Sequence, residues 1–222
     1  MASHLLQGKR KSFVSQSALS EILKALPSED DVDGTTPGLS RPSLKRARDK
    51  ATNVETPYGS LRGCINDTVV ESGKQVTIFY TDPAACLWEA CNRCQGFASY
   101  LNQCREQRPC SPTSPYDIVL YCDEVSPGNQ LKPSNDRKLQ VIYWSLKQLG
   151  GMALSKEDSW FVLAVVRSVD VQRMADGMAQ VMKHMFALFL GERGQTLLNG
   201  ILLPMPDGKV WPLCSKLRAS AS

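Results

Sequence analysis

Asp117-Ile-Val-Leu-Tyr-Cys-Asp-Glu-Val125 is the stretch on which the reading of this chain turns. Its apolar centre, Ile118 to Cys122, is too short for a helix and lies between Pro115 and the acids Asp123 and Glu124, so it predicts a strand. A second apolar run, Leu139 to Leu146 (LQVIYWSL), follows two groups of turn formers, Ser126-Pro-Gly-Asn129 and Pro133-Ser-Asn-Asp136, and pairs with the first as a long-looped hairpin. Trp160 to Val166 (WFVLAVV) predicts a third strand, apolar on both faces and therefore central. Helical spacing then takes over from Val171 to Leu190. Three consecutive antiparallel strands with a helix laid on them predict a mixed α/β (α+β) domain.

Working outward, Val76 to Tyr80 is rich in β-branched and aromatic residues and reads as another strand. Asp82-Pro83 opens a helix whose apolar stripe runs through Leu87, Ala90, Cys91, Cys94, Phe97, Ala98 and Leu101. In the later helix Val171, Met174, Met178, Val181, Met182, Met185, Phe186 and Phe189 share one face, with Asp170 as N-cap and Gly191 closing it. Ile201 to Met205 and Lys209 to Leu213 flank Pro206-Asp-Gly208 and predict a second hairpin. Ser215 to Ser222 has no period and is expected to fray. The domain is expected over 60–214, bounded in front by the turn Thr56-Pro-Tyr-Gly59.

Residues 1–59 differ in character. Of the net charge of +4, the first 50 residues supply +3, from nine basic and six acidic side chains, and Phe13 is their single aromatic. Ala18, Leu19, Ile22, Leu23 and Leu26 have helical spacing, ended by Pro27. Residues 28–39 are acidic and full of turn formers, as in a flexible linker. A short basic helix, Leu44 to Lys50, follows. The arm is expected to be largely disordered apart from these two helices.

A net charge of +4 is too small to argue for nucleic-acid binding by itself. No apolar run reaches the ~18 residues that a bilayer crossing needs, so no membrane span is expected. Lys9-Arg-Lys11 lacks the apolar core of a secretory signal behind it. With that, eight cysteines in 222 residues predict an intracellular, reducing compartment and free thiols.

Four groups carry candidate chemistry. Asp123, with Glu124 beside it, ends a strand where a sheet can hold a hard cation such as Mg²⁺, and two such ions drive phosphodiester chemistry. A partner acid from elsewhere is then required, and the more common role of an Asp here is to begin a turn and cap local backbone. Cys91-Asn-Arg-Cys94 has the CxxC form, with Cys86, Cys104 and Cys110 near. Zinc needs four converging ligands, and the two histidines, His4 and His184, are distant in sequence, so buried free thiols are favoured. His184 reads as a partly buried structural histidine, and Met174, Met178, Met182 and Met185 read as core filler. Neither a Gly-x-Ser-x-Gly elbow nor a glycine-rich phosphate loop occurs, and no small-molecule cofactor is expected. Arg41, Lys45, Arg46, Arg48 and Lys50 could meet DNA phosphates, and the cluster Lys45–Lys50 also reads as a nuclear import signal. A solvated basic tail is the plainer alternative.

Several blocks resemble a group of transposon-derived proteins abundant in dinoflagellate genomes. These are Asp117 to Leu131, Arg137-Lys138 with Ile142-Tyr-Trp-Ser145, Trp160 to Arg167, Gly177-Met178, Ser40 to Arg48 and Thr56 to Gly59. More distantly, the acid ending a first strand, the Asn-x-Leu loop and the Tyr-Trp-Ser-Leu partner strand resemble the start of a DDE-type transposase core with an RNase H-like fold. The resemblance implies a partial RNase H-like core, with Asp123 as first metal-binding acid and Glu124 as its neighbour. It also implies two further acids, which Glu192 and Asp207 match poorly, and acidic and Cys-rich segments beyond Ser222. The expectation is a truncated, catalytically inactive transposase-derived protein whose ancestral role was metal-dependent DNA strand transfer. The alternatives are a nucleic-acid-binding module acting through the basic arm and a soluble protein without enzymatic activity.

Overall fold

A computed structural model of the chain describes residues 53–68, 73, 75–126, 138–190 and 197–217. The expected helices at 18–26 and 44–50, the basic residues Arg41, Lys45, Arg46, Arg48 and Lys50, the hairpin loop at 127–137 and Glu192 lie outside these residues.

The compact unit begins at Glu55, so the turn expected as a boundary belongs to it. Glu55–Thr56 (β1) and Gly59–Ser60 (β2) form a small antiparallel ribbon. Tyr58 in its turn ties it to the remainder, its hydroxyl donating to the Leu202 carbonyl at 3.1 Å.

Arg62–Thr68 (β3) pairs antiparallel with Gln75–Thr81 (β4). Gly63 lies opposite Tyr80, whose ring occupies the space a Cβ would need. Asp82 then caps Pro83–Arg93 (α1), accepting the Ala85 N–H at 2.9 Å, and the proline fits the first turn because that position needs no N–H. The helix stops at Cys94, whose extended backbone caps it and opens Gln95–Gln107 (α2). The single stripe read through residue 101 is thus carried by two helices. Leu87, Ala98 and Leu101 are buried as that stripe requires.

Tyr116–Val125 (β5), Leu139–Leu146 (β6) and Phe161–Arg167 (β7) run antiparallel side by side, in the order read from the sequence. They do not stand alone. Antiparallel β4 joins β7, and Ser215–Leu217 (β10) joins β5 in parallel. The expected three-stranded antiparallel sheet is therefore a mixed sheet of six strands, in the order β10-β5-β6-β7-β4-β3. The stretch expected to fray supplies an edge strand, with the Tyr116 N–H donating to the Cys214 carbonyl at 2.9 Å in front of it.

Gly151–Leu154 (α3) is a single turn between β6 and β7. After β7 the predicted long helix is broken at Met174 into Ser168–Arg173 (α4) and Gly177–Leu190 (α5). Asp170 stands in the first turn of α4 rather than at its cap. Ile201–Pro204 (β8) and Val210–Leu213 (β9) form the second predicted hairpin. The helices and this hairpin share one core with the sheet. Trp144 is fully buried within it, its ring centroid 5.0 Å from that of Phe161 and 5.7 Å from that of Phe189, while Phe97 meets Phe161 edge-on at 5.6 Å. Strands β6 and β7 and helices α2 and α5 are thereby locked together. Met174 and Met185 are buried, and Met178 and Met182 pack partly against the core, as core methionines do. Among the described residues no helix is long and apolar enough to cross a membrane.

Candidate functional site

The end of β5 carries Asp123 and Glu124, and successive residues of a strand point to opposite faces. Asp123 stands in register with Val141, Val165, Phe79 and Cys64 across four neighbouring strands. This is the more open face, where Phe79 is 68% exposed and Tyr121 53%. Tyr121 stacks on Tyr143 with centroids 6.2 Å apart, and Trp160 lies 6.1 Å from Tyr121. One carboxylate oxygen of Asp123 accepts the Glu124 N–H at 2.8 Å. Partial burial, with the Asp123 and Glu157 carboxylates near, pushes the Tyr143 phenol up.

Glu124 stands in the next register row, with Gln140 and Val166, on the helix-covered face. Its carboxylate gathers three donors. Lys138 Nζ lies 2.6 Å from Oε1, while Gln140 Nε2 and Ser168 Oγ each reach Oε2 at 3.0 Å. Ser168 comes from the start of α4, so the carboxylate links β5 and β6 to the turn leaving β7. Lys138 and Ser168 hold the Glu124 carboxyl below its usual range. A cation binding Glu124 would have to displace this ammonium. The two acids read together from the sequence are thus on different faces, with different partners.

Asp207 lies in the turn between β8 and β9, on a sheet separate from β5, and Lys209 holds it below the usual range, first through its backbone N–H. Among the described residues no three His, Cys, Asp or Glu side chains gather in one place that could hold a metal ion. Cys91 is buried in α1 and Cys94 is exposed at its end. Burial first, and Cys94 second, push the Cys91 thiol up to about 12, so thiolate, the metal-binding form, is disfavoured. His184 is half-buried on α5.

Two features escaped the sequence reading. Asp117, only 3% exposed, is the second residue of β5, and its N–H donates to Gln148 Oε1 at 2.9 Å. An acid in front of an apolar run looks like a boundary, and nothing local announces its burial. Cys110 and Cys214 meet with their sulfurs 3.4 Å apart although 104 residues separate them in sequence. No protein-family model matches the chain, and no curated protein shows significant similarity to it.

Proposed function

We propose that this chain is a transposase-derived protein carrying the opening part of an RNase H-like core, and that it does not catalyse strand transfer. The observation that carries the reading is the order of elements. The antiparallel series β5-β6-β7 is followed by α4 and α5, and β10 then returns parallel beside β5. Asp123 lies near the end of the first strand of that series, which runs on to Val125, and the resemblance puts the first metal-binding acid of such a core there. Inactivity follows from the company it keeps: Glu124 faces the other side with Lys138 on it, and Asp207 belongs to another sheet. Among the described residues this leaves Asp123 alone, and one carboxylate supplies too few oxygens for a hard divalent ion. Mg²⁺ is therefore expected to bind weakly. Titration of Mg²⁺ into wild type and Asp123→Asn, with the Asp123 carboxylate followed by NMR, should show half-saturation in the millimolar range or no saturation. Submillimolar, Asp123-dependent binding would overturn the proposed inactivity.

A second reading, a nucleic-acid-binding module acting through residues 1–52, is favoured by the charge distribution, since the first 50 residues hold +3 of the net +4. Phosphate contacts predict duplex affinity that falls steeply as salt rises. The compact unit begins at Glu55, so the comparison is between the full chain and residues 53–222. The full chain should bind duplex DNA more tightly, with the steeper salt dependence; equal binding by the two removes this reading.

A further inference from the structure

Cys110 precedes the Ser111–Ser114 turn that leads into β5, and Cys214 is the single residue between β9 and β10. The Cys110 S–H donates to the Cys214 carbonyl at 3.0 Å, and the Cys214 N–H donates back to the Cys110 sulfur at 3.3 Å. The Cys214 segment is also held by bonds that do not involve the thiols, since Tyr116 N–H reaches the Cys214 carbonyl and Ser215 N–H reaches the Leu197 carbonyl, each at 2.9 Å. The sulfurs, 3.4 Å apart, stand in contact, and a disulfide needs them at about 2.05 Å, a closure of the order of one side-chain adjustment. Both side chains are half-buried, as is that of Cys86, whereas Cys64, Cys94 and Cys122 are exposed and Cys91 and Cys104 are buried.

We propose that Cys110 and Cys214 form a redox-responsive pair that closes to a disulfide when the chain meets a low-molecular-weight disulfide such as glutathione disulfide. One cysteine, as thiolate, attacks a sulfur of the oxidant and releases one glutathione thiolate. The neighbouring cysteine then displaces the second glutathione from the mixed disulfide. Two protein S–H bonds and the oxidant's S–S bond break, and one protein S–S bond and two glutathione S–H bonds form. The two protons pass from the cysteines to the departing thiolates, and the two electrons reduce the oxidant. Burial, with Cys110 second, holds the Cys214 thiol up at about 11, so closure is slow at neutral pH and quickens as pH rises. The bond staples the residue joining the β8–β9 hairpin and β10 to the segment that opens β5.

The test uses the full chain, incubated with glutathione disulfide, quenched with N-ethylmaleimide and mapped by mass spectrometry without reduction. The expected product joins the Cys110 and Cys214 peptides with the loss of two hydrogens, while exposed Cys64 carries glutathione or the alkylating agent. Closing so long a loop should raise the melting midpoint by about 5–10 °C, reversibly with dithiothreitol. Cys214→Ser should show no such rise. A lasting glutathione adduct on Cys110 or Cys214 of the wild type would overturn the proposal. So would finding both thiols free under conditions that modify Cys64, or an equal rise in Cys214→Ser.

Discussion

Glu124, read from the sequence as a companion ligand to Asp123, accepts hydrogen bonds from Lys138, Gln140 and Ser168. A carboxyl held low in the folded state stabilises at pH values above its unfolded pKa of about 4.3, and that contribution disappears as pH falls through the lower folded value. Glu124→Gln should therefore lower the urea midpoint at pH 7. The gap to wild type should narrow as pH falls below the unfolded value and close once it has passed through the lower folded one, and a gap independent of pH would refute the assignment. The opposite facing of Asp123 and Glu124 was legible in advance, because alternation along a strand requires it. The donors were not. Ser168 arrives from a different strand end, and Lys138 stands 14 residues away in sequence, so no local pattern links either to Glu124.

At the scale of elements, what the sequence revealed depended on whether the deciding contact was local. Asp82-Pro83 announced the start of α1 through capping chemistry contained within one turn. The breaks at Cys94 and Met174 were hidden because the apolar period continues across both, and neither residue carries the sign of a helix stop. The pairing of β3 with β4 turns on a glycine that yields its side-chain space to the Tyr80 ring, a fit visible only once the register is known. Strand β6 was the clearest element in the sequence and is also the energetic centre, since Trp144 touches neighbours from β7 and α5. Trp144→Ala should cost about 3–5 kcal/mol in chemical denaturation. A loss below about 1 kcal/mol would mean that the aromatic cluster does not hold these elements together.

Across the whole molecule, the mixed α/β class and the run β5-β6-β7 were readable because three strong strand patterns occur in succession. The full sheet was not, because β4 and β10 enter it by pairings that skip over intervening elements. A three-residue strand such as β10 has no periodicity of its own and becomes a strand only through β5. That pairing sets an order of events during synthesis. Tyr116 emerges from the ribosome long before its partner Ser215, so the outer edge of β5 waits with its amide and carbonyl groups uncommitted. Contacts this distant in sequence also slow the final closure. The nascent chain thus passes through an interval in which any extended peptide nearby competes for the place that β10 will take.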